Sequence, residues 1–217
     1  MSGRVTDIRR TGDDPPRVVV FVDGAEAFTV SEAVASELGI EVGAELVDSA
    51  SQLLEADDER EKAREAALRL LAVRARSKGE LADRLRRKGF REESCAFVVA
   101  ALKDVGLVDD EDFARAWVDE KLRLRPCGPR RLVQELLARK VGRTLADRVV
   151  EETFREHAEL EVARRAVASK ARASAGLDRE KRRSRLYSFL LRRGFSYEVA
   201  STVVRETLRD TEGEDDA

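Results

Sequence analysis

The chain has 217 residues, 39% of them charged and only 5% aromatic, a balance that suits long solvated helices and argues against a compact β fold. Its net charge of −2 hides a segregation: residues 1–61 hold 5 basic and 15 acidic side chains, residues 62–208 hold 35 and 23, and residues 209–217 hold 1 and 5. The middle of the chain is basic and favours an anionic partner. No apolar run approaches the roughly 18 residues of a membrane helix, no signal-peptide pattern opens the chain, and Cys95 with Cys127 makes neither a disulfide framework nor a metal pair. A cytoplasmic protein with no membrane contact is expected.

Residues 4–9 and 17–22 have strand character, the second most clearly. Asp23-Gly24 predicts a tight turn into a return strand over residues 25–30, because this pair tolerates positive φ. Ser31 is a cap for a short helix through Leu38, and Gly39 closes it. Residues 1–50 therefore read as a small β-rich domain, whose acidic surface argues against direct DNA contact. A helix follows over residues 51–76. Its charged part, residues 55–65, reads as solvated and linker-like; Ala66, Ala67, Leu70 and Leu71 then regain an apolar stripe.

With Ser77 and Glu80 as a capping box, Gly89 as a stop, and a helix over residues 92–104, residues 51–108 form the linker helix and a first three-helix unit. Residues 109–157 form the second. Its first helix ends at Pro126-Cys127-Gly128, and Pro129 opens the next at a position where a missing N–H does no harm. Thr144 with Asp147 reads as a further cap. Residues 158–208 form the third unit, capped at Asp178 and Ser196, and residues 209–217 read as a disordered acidic tail.

The units share one pattern. After Leu81, Leu132 and Leu186, a leucine follows four residues on (Leu85, Leu136, Leu190) and a basic residue seven on (Lys88, Arg139, Arg193). Phe90, Val141 or Phe195 comes nine on, and a Val-Val pair seventeen and eighteen on (Val98-Val99, Val149-Val150, Val203-Val204). A repeat of about 50 residues means tandem helical units, each too small to bury its apolar face alone. The fold expected is mainly α: three tandem three-helix repeats in an elongated, curved body behind the β-rich domain. Where Gly89 and Gly194 stop their helices, the middle copy has Lys140. That turn either uses another geometry or holds Lys140 under about 1 kcal/mol of strain.

Nothing in the pattern points to catalysis, a cofactor or a metal. His157 has no Cys or second His near it and reads as a solvated surface residue. Cys127 lies between Arg125 and Arg130, which would lower a thiol pKa, but a spacer in a turn is the better reading. Trp117 follows Phe113 on a helical stripe and reads as core rather than a base-stacking platform. Tyr187 and Tyr197 stay ambiguous. Residues 121–140 hold seven basic side chains against Glu135, and residues 164–193 hold eleven against Asp178 and Glu180. That excess exceeds what helix solvation requires. The binding candidates are Arg123, Arg125, Arg130, Arg131, Arg139, Lys140, Arg182, Arg183, Arg192 and Arg193, and they are expected to lie off the leucine stripe.

Residues 112–141, DFARAWVDEKLRLRPCGPRRLVQELLARKV, resemble the middle repeat of the RecX family. The match runs through Phe113, Ala114, Arg115, Trp117, Gly128, Arg130, Arg131, Leu132, Glu135, Leu136 and Val141. SKGELADRLRRKGF (77–90) resembles the family's first repeat, LLRRGFSYEVASTVV (190–204) its third, and DGAEAFTVSEAVASELGIEVG the N-terminal extension of some members. The chain departs at Lys140, where the family usually has glycine. The resemblance implies a non-enzymatic regulator, expected as a monomer, that binds filaments of the RecA recombinase on single-stranded DNA and restrains their growth, ATPase and strand exchange. Two alternatives remain: a helical nucleic-acid-binding module with no recombinase partner, and an adaptor whose basic face meets an acidic protein.

Overall fold

The computed structural model describes residues 3–12, 16–156 and 158–214, and folds into two compact units. One holds the chain through Ala75 together with Leu81–Val108; the other holds Arg76–Glu80 and the chain from Asp109 on.

The first unit opens with an antiparallel sheet of four strands in the order β3-β2-β1-β4: β1 (Gly3–Arg10), β2 (Arg17–Val22), β3 (Ala25–Ser31) and β4 (Glu45–Leu46). Asp23 and Gly24 turn the β2–β3 hairpin with φ of 51° and 83°, the two positive values that such a turn needs. Val18 and Val20 of β2 and Phe28 and Val30 of β3 face one core. The short β4 was not legible in the sequence. Helix α1 (Glu32–Glu37) starts where Ser31 Oγ accepts the amide of Val34 at 3.2 Å.

Helix α2 (Asp48–Val73) corrects the linker reading of residues 55–65. Asp57 accepts the amide of Ser31 at 2.8 Å and Asp58 that of Thr29 at 3.3 Å, so the helix covers the outer edge of β3. Glu61 reaches Arg17 of β2 at 2.9 Å, and Glu59 takes the amide of Arg91 at 2.7 Å. This acidity satisfies an edge strand that would otherwise expose unpaired amides. The far half of α2 buries Ala63, Ala66 and Ala67 against α3 (Lys78–Arg87) and α4 (Glu92–Asp104).

Six further helices complete the second unit: α5 (Asp110–Leu124), α6 (Pro129–Ala138), α7 (Arg143–Glu156), α8 (Glu159–Arg172), α9 (Arg179–Arg192) and α10 (Tyr197–Glu214). Caps at Asp109, Asp178 and Ser196 each accept a helix amide. Thr144 does not cap; it lies inside the first turn of α7. Helix α10 continues to Glu214, past the expected end at Leu208, so much of the acidic tail is helical.

The repeat pattern holds in space. Leu81, Leu85, Leu132, Leu136, Leu186 and Leu190 have no exposed surface, and the three Val-Val pairs are buried. Each second helix ends alike. The amides of Phe90, Val141 and Phe195 return to the carbonyls of Leu85, Leu136 and Leu190, and those of Gly89, Lys140 and Gly194 to Arg86, Leu137 and Leu191. This double closure needs a left-handed residue. Gly89 and Gly194 supply it freely at φ of 96° and 87°; Lys140 adopts it at 63°. The middle stop keeps the shared geometry and accepts strain.

Candidate functional site

The second unit brings three helix ends to one junction. The amide of Gly128, before α6, donates to the carbonyl of Arg193, after α9, at 2.9 Å. Arg193 Nη1 donates back to the carbonyls of Arg125 and Pro126, after α5, at 3.4 and 3.3 Å. Arg131 Nη1 reaches the carbonyl of Arg192 at 3.3 Å. These bonds fix the end of α5, the start of α6 and the end of α9 together, and four predicted side chains surround them. Arg123, Arg125 and Arg192 are exposed and make no side-chain hydrogen bond or ion pair with the described residues. The fourth, exposed Arg130, lies 5.9 Å from the ring centre of Tyr197, near the outer limit for a cation–π contact.

The other candidates divide differently. Arg131 pairs with Glu135 at 3.1 Å. Arg139 is half-buried with its guanidinium 3.3 Å from the centre of the Trp117 ring, and Lys121 lies 4.9 Å from the same ring. Trp117 itself packs against the core, as its spacing predicts. Lys140 is exposed at the opposite end of α6 from the junction. Arg183 is exposed near the start of α9, 3.6 Å from Glu180. Arg182 is buried on the same face of α9 as Leu186 and Leu190. It lies on the leucine stripe, not off it, with Nη2 3.5 Å from the carbonyl of Ala171.

Electrostatics separates structural charges from available ones. Burial raises the pKa of Glu135, but its bonds to Lys121 at 2.8 Å and to Arg131 outweigh that and hold the carboxyl below its ordinary range. Bonds from Arg148 and Arg115 draw the partly exposed Glu111 down to about 2, and the Arg148 bond ties α5 to α7. Burial, with Glu135 nearby, pushes the Cys127 thiol up despite neighbouring cations. A raised, buried thiol is not a nucleophile, so the activating effect of Arg125 and Arg130 does not operate. His157 lies outside the described residues, among which no group of three His, Cys, Asp or Glu side chains could hold a metal ion. No helix among them is long and apolar enough to cross a membrane.

Sequence reasoning missed Arg179, Arg205 and Arg209, which line a cleft between α9 and α10 with Arg183. Their four-residue spacing was the available signal, since it stacks Arg179 on Arg183 and Arg205 on Arg209.

Models of the first, second and third three-helix domains of RecX match residues 63–102, 109–150 and 157–204. The chain belongs to the RecX family. It is 42% identical over 155 residues to the regulatory protein RecX of Streptomyces lividans, covering 71% of this chain and 81% of that protein. It is 32% identical over 179 residues to the RecX of Caldanaerobacter subterraneus subsp. tengcongensis, covering 82% and 87%. A crystal structure of a regulatory protein RecX superposes with a TM-score of 0.75 at 21% identity, covering 93% of this chain and 98% of that one. At that identity the likeness concerns the fold. Each matched RecX domain contains one copy of the leucine pattern, and the junction cations fall within the second and third RecX domains.

Proposed function

We propose that this RecX-family chain is a non-enzymatic regulator that binds filaments of the RecA recombinase on single-stranded DNA and restrains their growth, ATPase and strand exchange, and so modulates recombination and repair. Its relatives carry the name regulatory protein, and its second unit presents the chemistry such a partner requires. The observation that carries the reading is the junction of α5, α6 and α9. One backbone bond and the guanidinium–carbonyl bonds of Arg131 and Arg193 hold it together, while Arg123, Arg125, Arg130 and Arg192 stand around it with no hydrogen bond or ion pair from their side chains to the described residues. On a surface where most arginines are paired, uncommitted cations on a fixed frame favour an anionic surface, whether DNA phosphates or acidic side chains of the recombinase. Arg131 and Arg193 are assigned to the frame instead, and Arg182 to the buried face of α9.

The test compares wild type with Arg130→Glu/Arg192→Glu for inhibition of the DNA-dependent ATPase of RecA, at low and high salt, with melts confirming the fold. Inhibition is expected to weaken at least about tenfold in the variant, and in the wild type to fall steeply with salt. Undiminished inhibition by the folded variant would remove the junction from the reading. A direct nucleic-acid contact is the second reading, favoured by the arginine-lined cleft of α9 and α10.

A further inference from the structure

The second and third repeats each carry a cleft between their second and third helices, lined largely by equivalent positions but differing in charge. The α6/α7 cleft has a volume of about 690 Å³ and an apolar wall that includes Val150 and Phe154. Two of its three arginines are paired, since Asp147 lies 3.7 Å from Arg143 and Glu151 lies 2.5 Å from Arg155, which leaves Arg130 as its one excess cation. The α9/α10 cleft has a volume of about 890 Å³, and Val204 and Leu208 take the places of Val150 and Phe154. Ser201 stands where Asp147 stands, and Arg205 where Glu151 stands; Arg209 matches Arg155. Four arginines thus line a wall whose single acid is Glu180.

Arg183, Arg205 and Arg209 are available, and the cations are regularly spaced. Glu206, beside Arg205, is already bonded by Arg164 at 2.9 and 3.0 Å. Arg205 and Arg209 make no hydrogen bond or ion pair with the described residues. Arg183 has only the exposed Glu180. On α9, Arg179, Arg183 and Tyr187 occupy successive turns; on α10, Ser201, Arg205 and Arg209 do the same. Each stripe is about 12 Å long. Rows of cations ending at an aromatic ring fit a phosphodiester chain whose base stacks on the ring. An acidic peptide would use the cations and leave the ring idle.

We propose that the α9/α10 cleft binds the backbone of single-stranded nucleic acid, with Arg183, Arg205 and Arg209 at phosphates and Tyr187 against a base. The assignment rests on the regulatory reading above and adds to it a direct hold on the strand, made by the third repeat. The second repeat's equivalent cleft carries three arginines against two acids, a net +1 where the third repeat's cleft has four against one, a net +3.

The test titrates the full chain against a fluorescent single-stranded oligothymidylate of roughly twelve nucleotides, enough to cover one such site, by anisotropy across a salt series with no recombinase present. The wild type is expected to bind. Arg205→Glu/Arg209→Glu should bind at least about tenfold more weakly and lower the slope of log affinity against log salt by about 1.4, for two lost phosphate contacts. Arg205→Glu installs the residue that the second repeat already carries at this place; if the double variant melts early, Arg205→Gln/Arg209→Gln takes its place. Tyr187→Leu, which keeps the half-buried apolar contact, should weaken binding about fivefold or more.

Equal affinity and equal slope for the wild type and the folded arginine variant would overturn the assignment. So would no effect of Tyr187→Leu together with displacement of the oligonucleotide by polyglutamate, which would make the partner an acidic protein. A wild type that ignores the oligonucleotide yet inhibits the RecA ATPase would sink the cleft and leave the regulatory reading standing. Cleft-dependent binding without such inhibition would do the reverse.

Discussion

Gly128 donates its amide to the carbonyl of Arg193, and Ser77, at the same place one repeat earlier, sends its Oγ to the carbonyl of Arg139. Arg139 and Arg193 are themselves equivalent, so one link recurs: the start of one second helix sits on the stop of the next. The fit at Gly128 is tight, because a Cβ there would meet the carbonyl of Gly194 and the amide of Phe195, both backbone. Gly128→Ala is expected to lower stability by about 1–3 kcal/mol, or about 2–4 °C of Tm per kcal/mol for a chain of this size. An unchanged Tm would mean that the junction yields.

The strained stop offers the opposite test. Lys140 has φ of 63°, a conformation that disfavours a side chain by about 1–2 kcal/mol. Glycine would relieve this but adds about 0.4–1 kcal/mol of unfolded-state entropy. Lys140→Gly should therefore raise stability by about 0.5–1 kcal/mol, measured by denaturant titration. A loss would show that contacts of the Lys140 side chain outweigh its backbone strain.

Leu85, Leu136 and Leu190 are fully buried at equivalent places in the three repeats. Each Leu→Ala change is expected to cost about 2–5 kcal/mol, the spread depending on how far each site collapses. Three neutral melts would contradict the shared core position.

Asp57 and Asp58 hold amides of β3 that no further strand meets. In Asp57→Ala/Asp58→Ala these edge donors lose their partners, with an expected loss of about 1–3 kcal/mol. Hydrogen exchange should quicken at Thr29 and Ser31 more than at Val18 or Val20. Uniform exchange across the sheet would place the strength of this contact elsewhere.

Glu111, held at about 2 by Arg148 and Arg115, makes part of the second unit acid-sensitive. Its folded pKa lies below that of the unfolded chain, about 4.3. The stabilisation is therefore complete above that value and is lost as pH falls toward about 2. Glu111→Gln should flatten this part of the stability–pH curve and leave the neutral region's slope unchanged. An identical acid limb in the variant would assign the loss to other carboxylates.

The sequence by itself determined most of what depends on neighbours three to nine residues apart: the leucine stripes, the caps at Ser31, Asp178 and Ser196, the helix stops at Gly89 and Gly194 and the Asp23-Gly24 turn, though not the absence of a cap at Thr144. Local backbone geometry fixes these, so their spacing reveals them. The fate of each charged side chain was decided only by the tertiary structure. Residues 55–65 look like a solvated linker in sequence, yet Asp57 and Asp58 meet the edge of β3. Arg182 looks like its neighbour Arg183, but one is buried and the other lines a cleft. Arg192 and Arg193 are adjacent, and Arg193 is bound to carbonyls more than sixty residues away while Arg192 stands uncommitted. A long cationic side chain becomes structural only where folding brings an acceptor within hydrogen-bond reach, and that approach is set by helix packing, not by the order of residues along the chain.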